Sequence, residues 1–523
     1  MKIEWFDKLK ETFNAGISNF FVLNGNINDY VGTTNLNVIK YLVDFFNKKQ
    51  FVESITIFNY GNDVDIIKES RTVAKNKDAM TYVMNLISER KKNATNVIIF
   101  RYPEYVVPKD MFNIQEYTKA VMLRLHKLIS DNITSDNIVI FVADSVASIN
   151  PMFLDDSCQS TVLKIPYPNE EERYSFIKNT VEKKNLKNYL TISESQIAKL
   201  TAGLTKISIE DILLESQITK ISNKLIIDKK KAVVQKMFGD ILEIYDVSSM
   251  NYSLKNFAGQ KQIKDYHKEV IINPIRNGED SSIIPKGLLY VGPPGTGKTY
   301  FAKCLAGEAG INFVEFKLSK ILGKYVGESE KNLEKVFNCL ESLAPCGVFI
   351  DEIDQALGRG DNDNTGVRAS IFGMMLSFMS EPSHRGKIIF IGATNYPNKI
   401  DEALKRPGRF DKKIPFLPPN ANERIETIKM YFEKLGRCDL SINDYNELAS
   451  ITNGYTPAEI EDISVKCLEI MKRKKISVIT KDLIIYSISC IKRRCSNEIN
   501  NMIKIALDEC NDIEFIPKEY RNR

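Results

Sequence analysis

The sequence predicts an α/β protein built as two consecutive doubly wound, mostly parallel modules, each followed by a small helical lid. Three observations predict it. An apolar run, Gly287-Leu-Leu-Tyr-Val291, leads into the glycine-rich stretch Gly292-Pro-Pro-Gly-Thr-Gly-Lys-Thr299 and then into the helical pattern Tyr300-Phe-Ala-Lys-Cys-Leu-Ala306. A second apolar run, Gly347-Val-Phe-Ile350, ends in the paired carboxylates Asp351 and Glu352. Finally, the two halves of the chain carry three matching segments in the same order.

The bulk composition fits that class. A chain of 523 residues is too long for one core and, at about 100–200 residues per domain, predicts three or four units. Its 43% hydrophobic, 27% charged and 10% aromatic residues exclude wholesale disorder. The net charge of +5, from 72 basic and 67 acidic residues, selects no partner. No run of about 18 apolar residues occurs, so no membrane span is expected. The N-terminus, MKIEWFDKLKETFNAG, alternates charged and apolar residues at helical spacing and lacks the apolar core of a secretory signal. Cys490 and Cys495 stand five apart, which suits neither a zinc knuckle nor a redox pair, and the nine scattered cysteines point to a reducing, cytoplasmic setting. With His126, His267 and His384 as the three histidines and no HExxH, a zinc-protease domain is not expected.

The internal matches set the organisation. Asn137–Ser145 reads as a buried strand and is followed about twenty residues later by Lys164-Ile-Pro-Tyr-Pro-Asn-Glu-Glu-Glu-Arg173. Lys387–Asn395 is followed at a similar distance by Lys413-Ile-Pro-Phe416 and Pro419-Asn-Ala-Asn-Glu-Arg424. Thr201–Ile212 then resembles Thr452–Ile463. Short windows of strand, loop and capped helix can look alike without common origin, but three ordered matches predict a tandem duplication with a seam near residues 230–255. The expected units are a degenerate, non-hydrolysing module with its lid at 1–240, an active α/β unit at 245–420, and a helical lid with C-terminal tail at 421–523. The first copy is degenerate because no GxxxxGK[ST] occurs in it, the stretch after its first strand reading Phe20-Phe-Val-Leu-Asn-Gly-Asn-Ile-Asn-Asp-Tyr30. Phe100-Arg101-Tyr102 stands where the second copy has Ile350-Asp351-Glu352, putting a cation where a magnesium carboxylate belongs.

The second copy carries the chemistry. Its glycines let backbone N–H groups wrap phosphates, and the following helix adds the positive end of its dipole. Nucleotide contacts are expected from Pro294, Gly295, Thr296, Gly297, Lys298, Thr299 and Tyr300, with Lys298 on the outer phosphates and the Thr299 hydroxyl on Mg2+. Asp351 would hold Mg2+ through its water shell, and Glu352 would polarise the attacking water. Acidic residues after a strand also serve as plain helix caps, an alternative that the upstream phosphate loop disfavours. Asn395, at the end of Ile388-Ile-Phe-Ile-Gly-Ala-Thr394, could hydrogen-bond both γ-phosphate and water; by itself it is an ordinary turn residue.

Taken in series with Asp401-Glu-Ala-Leu-Lys-Arg-Pro-Gly-Arg-Phe-Asp411, these motifs resemble the core AAA clade of the AAA+ ATPases over about 280 residues. The resemblance implies tandem P-loop AAA+ modules using ATP and Mg2+. It implies Arg406 and Arg409 as arginine fingers that enter the neighbouring subunit's site, hence a homo-oligomer, in the family a hexameric ring. Two surface arginines in a Pro-Gly turn are the alternative. It places Tyr325 and Val326, in Gly323-Lys-Tyr-Val-Gly-Glu-Ser-Glu330, on a pore loop gripping polypeptide, with packing on a subunit neighbour as the alternative. Gly358–Gly366 resembles a second pore loop. Ala258 and Gly259 are implied near adenine, and Ala458 at adenine and ribose, although Pro457-Ala458 departs from the family's usual Gly-Ala. The first half is similar to a degenerate AAA module placed ahead of a working one, on Asn24-Gly25-Asn26, Asp29 and Tyr102-Pro103-Glu104.

The function expected is an ATP-hydrolysing ring that remodels or threads protein substrates or complexes. A nucleotide-switched assembly chaperone without processive translocation is the second reading. A nucleic-acid motor is the third, and it lacks a basic and aromatic stripe to support it.

Overall fold

The computed structural model describes residues 3–521 apart from 60–62, 69–77, 91–93, 110–113, 133–135, 219, 246–251, 323–327, 357–365, 437 and 493–495. It divides into two compact units, residues 1–237 with 324–342, and 238–323 with 343–523. Among the described residues no helix is long and apolar enough to cross a membrane.

The first unit holds β1 (Phe20–Gly25), β2 (Val52–Phe58), β3 (Val64–Lys68), β4 (Thr95–Arg101), β5 (Ile138–Ala143) and β6 (Thr161–Ile165), in the order β3-β2-β4-β5-β1-β6. The second holds β7 (Leu242–Tyr245), β8 (Gly287–Val291), β9 (Asn312–Phe316), β10 (Cys346–Ile350), β11 (Ile388–Thr394) and β12 (Lys412–Pro415), in the order β12-β8-β11-β10-β9-β7. The parallel runs β6-β1-β5-β4-β2 and β12-β8-β11-β10-β9 have the same topology, and each ends on one antiparallel strand, β3 or β7. The two sheets bear out the doubly wound α/β expectation.

Such sheets are covered on both faces, which is why their strands are near-continuous apolar runs. The pleat sorts those runs: Phe20 and Val22 of β1 join one apolar cluster, with Phe100 and Phe141, while Phe21 and Leu23 join the other, with Ile99 and Ile140. In the second unit Leu288 and Tyr290 of β8 pack with Phe301, Ile391 and Phe416. Tyr290 is fully buried, and its hydroxyl is matched to His267 Nε2 at 2.9 Å.

The two lids repeat each other atom for atom at one buried side chain. Arg173 donates from Nε to Ala198 O (2.8 Å) and from Nη1 to Pro168 O (2.6 Å). Arg424 donates from Nε to Ala449 O (2.8 Å) and from Nη1 to Pro419 O (2.7 Å). Each arginine sits in the first turn of a helix, Glu170–Lys183 or Ala421–Glu433, that opens with a capping box, Asn169 with Glu172 or Asn420 with Glu423. Thr205 and Thr456 likewise cap the helices Lys206–Glu215 and Pro457–Lys474. The backbone also repeats past the fourth strand of each unit: Tyr102 (φ 59°) and Glu352 (φ 46°) are both left-handed. The kink therefore survives in the copy that lost the carboxylates.

After the second lid, the helix Ser496–Glu509 returns the chain to the second α/β layer. Glu509 pairs with both Lys405 (3.1 Å) and Lys413 (2.9 Å), and Phe515 enters the core beside Tyr266.

Candidate active site

In an open parallel sheet the ligand crevice lies at the carboxyl ends of the strands where the chain order reverses, here beyond β8 between β11 and β12. The loop that follows β8 is shaped by close approaches. A Cβ on Gly292 (φ +145°) would stand 2.1 Å from Phe416 O, one on Gly295 (φ +79°) 2.9 Å from the Ala458 Cβ, and one on Gly297 (φ +90°) 2.8 Å from the Phe257 ring. Gly297 caps the helix Lys298–Ala309 without any side chain of its own, so the first-turn N–H groups face the loop. A bare helix N-terminus inside a glycine cradle fits a phosphate chain.

Lys298 is buried, and its ammonium donates to Gly292 O (2.7 Å), Pro293 O (2.9 Å) and Asn395 Oδ1 (2.8 Å). Burial pulls its pKa down to about 8, against the opposing pull of Asp351 and Asp354. Thr299 Oγ1 donates to Asp351 Oδ2 at 3.1 Å, and Asp351 Oδ1 accepts the N–H of Glu352 at 3.0 Å. A hydroxyl and a hard carboxylate this close, beside the phosphate cradle, are the oxygen donors Mg2+ takes when it also binds phosphate. Asp351 and Glu352 are both exposed at the end of β10. The end of β11 is braced from behind: Thr394 Oγ1 donates to Asp354 Oδ1 (2.6 Å) and accepts from Tyr396 N (2.9 Å).

Lys298, Thr299, Asp351, Glu352 and Asn395 line a cavity of about 510 Å³ between the α/β layer and the lid. Of the residues expected at the nucleotide, Ala258, Pro294, Gly295, Gly297, Lys298, Thr299, Tyr300, Asp351, Glu352, Asn395 and Ala458 are on its wall. Thr296 and Gly259 are not. Thr296 is buried with its hydroxyl on Pro293 O (2.9 Å), and the Gly259 N–H is held by Glu426 (3.1 Å). Ala458 N donates to Gly295 O at 3.1 Å, tying lid to loop. Phe257 stacks on Tyr300, with ring centroids 6.2 Å apart and planes at 21°.

Apart from Ala458, sequence reasoning missed the lid's share of the wall: Thr427, Met430 and Tyr431 from one helix, Lys434 at its end, and Pro457 and Glu461 from the helix Pro457–Lys474. Their signal is the i, i+3, i+4, i+7 spacing of one helix face. It also gave Asp354 no role.

The two arginines lie away from this cavity. Arg406 is exposed. Arg409 is half-buried, donating from Nε to Ser380 Oγ (3.2 Å) and from Nη1 to Ala403 O. Asp411 fixes their turn by accepting from Gly408 N (2.5 Å) and Lys286 N (2.7 Å). Tyr325 and Val326 lie outside the described residues, as does nearly all of the second loop at 358–366.

Residues 288–417 match the family described as "ATPase family associated with various cellular activities (AAA)". Residues 4–166 match "AAA+ chaperone, N-terminal Rossmann-like domain" and 171–239 match "AAA+ chaperone, second helical domain". The chain is 28% identical over 405 residues to the Cell division cycle protein 48 homolog of Archaeoglobus fulgidus, covering 72% of this chain and 55% of that protein. It is 29% identical over 413 residues to Protein SAV of Sulfolobus acidocaldarius, covering 72% and 52%. To the ATP-dependent zinc metalloprotease FTSH 5, chloroplastic, of Arabidopsis thaliana it is 34% identical over 247 residues, covering 45% and 34%. The chain thus spans about half, or less, of the length of the curated relatives it matches.

Proposed function

The chain belongs to the AAA-type ATPases of the AAA+ superfamily, with a degenerate AAA-like module ahead of the working one, and from that premise we propose that it hydrolyses ATP as a ring and uses the cycle to remodel or thread protein substrates. The observation that carries the reading is the meeting of Lys298, Thr299, Asp351, Glu352 and Asn395 at the carboxyl ends of three adjacent strands, under a lid tied to the phosphate loop.

Each side chain has its own part. Lys298 neutralises the outer phosphates, and Asn395, already in contact with it, orients the γ-phosphate and the attacking water. Glu352 takes the proton of that water. Thr299 and Asp351 would hold Mg2+, which when bound would supply positive charge against the charge developing on the phosphate oxygens. Arg406 and Arg409 complete the site of the adjacent subunit, which is why a ring is required. The ring is a homohexamer working in the cytoplasm, with protein as its substrate and no requirement for nucleic acid. Tyr325 and Val326 grip that protein in the pore.

The test is Tyr325→Ala. ATP turnover is expected to persist while substrate remodelling is lost; remodelling at the unaltered rate overturns threading. A Glu352→Gln chain that assembles and releases its partner with ATP, without turnover, establishes the switch reading instead.

A further inference from the structure

In the second unit the cavity lies between the helix Ala421–Glu433 and the start of the helix Pro457–Lys474, where Ala458 N reaches Gly295 O. The shared arginine clamp and threonine caps identify the counterpart groove in the first unit, between the helices Glu170–Lys183 and Lys206–Glu215. The protein's own loop after β1 reaches into that groove, beside a cavity of about 660 Å³ that Asp29, Tyr30, Glu172 and Lys206 also line. The buried Asp29 carboxylate accepts from Lys206 N (2.9 Å) and Ile207 N (3.1 Å), the first N–H groups of the second helix, and from Asn26 Nδ2 (2.9 Å). One residue on, the Tyr30 ring lies 6.0 Å from the Phe176 ring, and its hydroxyl donates to Glu210 Oε2 at 2.9 Å. Glu210 also pairs with Lys184 at 2.7 Å, and Asn179 donates to Thr33 O at 3.4 Å.

The second unit ties lid to loop with one neutral backbone bond. The first does it with a buried carboxylate on two amides of a helix N-terminus, where charge-assisted bonds and the helix dipole both favour an anion. We propose that residues 29–33 are a built-in occupant of the base and ribose end of the first module's nucleotide groove, Asp29 on the helix N-terminus that corresponds to the one bearing Ala458 and Tyr30 against the counterparts of the second module's lid wall, so that this module binds no nucleotide and keeps its lid closed throughout the cycle. An entering nucleotide would meet the Asp29 carboxylate and the Tyr30 ring on the lid surface that in the second module lines the cavity. At the end of β4 it would find Arg101 and Tyr102 in place of magnesium carboxylates. The proposal does not depend on what the second module does with ATP.

The experiment uses the full chain in two measurements. Nucleotide stoichiometry by equilibrium dialysis with ATP is expected to be one per wild-type chain and none for Lys298→Ala. Hydrogen exchange over residues 203–212 is expected to be the same with and without ATP, and at least about tenfold faster in Asp29→Ala, since the first two amides of the helix, one buried and one half-buried, lose their acceptor. If Asp29→Ala does not fold, Tyr30→Phe serves, with faster exchange around Glu210 expected. One nucleotide retained by Lys298→Ala, ATP-dependent protection at 206–210, or unchanged exchange in the folded variant overturns the proposal.

Discussion

Lys298 and Asn395 are joined by a 2.8 Å hydrogen bond, the ammonium donating to the amide oxygen, so the end of β11 is tied directly to the phosphate loop. The same ammonium is buried and held at about 8, low for a lysine. Triphosphate beside it favours the charged form and raises that value. Between the two values the complex carries a proton the free protein lacks. ATP binding is therefore expected to take up protons at pH 8 and above, and to weaken by up to about tenfold per pH unit above it. Titration calorimetry in two buffers of different ionisation heat measures the uptake; none at pH 8.5–9 contradicts the assignment.

Glu352→Gln is expected to bind ATP with unchanged affinity and to hydrolyse it about 10²–10⁴-fold more slowly, the range for losing a general base. Single-turnover kinetics separates the two steps.

Thr394→Val removes the hydroxyl that joins Asp354 to the Tyr396 N–H beneath the site. A loss of about 1–3 kcal/mol in stability is expected, from polar groups left without partners. Because Asn395 is the next residue, kcat is expected to fall while nucleotide affinity holds.

Arg173 and Arg424 make the same pair of bonds in the two lids, and burial lowers the pKa of both. Replacing either with methionine keeps the apolar stem and strands two carbonyls, so each is expected to cost about 2–4 kcal/mol in urea unfolding. A large effect at one and none at the other would break the equivalence of the lids.

What could be read ahead of the structure was chemistry confined to a few consecutive residues. The loop from Gly292 to Thr299 and the pair Asp351-Glu352 declare themselves because each residue type answers a local demand. The lid wall was not legible, since Thr427, Met430 and Tyr431 acquire meaning only when the helix lies over the phosphate loop. Gly259 and Ala258 are neighbours, yet only Ala258 reaches the cavity, because Glu426 draws the next peptide outward. β7 is four residues with alternating burial, and its edge pairing with β9 is a long-range event that leaves little trace in sequence. Asp29 stands out in the sequence only as part of the resemblance to a degenerate module, with no partner legible; its partners, Lys206 and Ile207, come from the far end of the module.

The central claim is that each site is completed by the neighbouring chain's arginines, and subunit mixing tests it most directly. Lys298→Ala chains and Arg406→Ala/Arg409→Ala chains are each expected to be at least about 10³-fold impaired alone. Mixed one to one before assembly, they should recover about a quarter of wild-type ATPase per site, the share of interfaces that pair an intact site with intact arginines. A mixture as inactive as its parents, or a double-arginine variant that turns over at the wild-type rate, would contradict it.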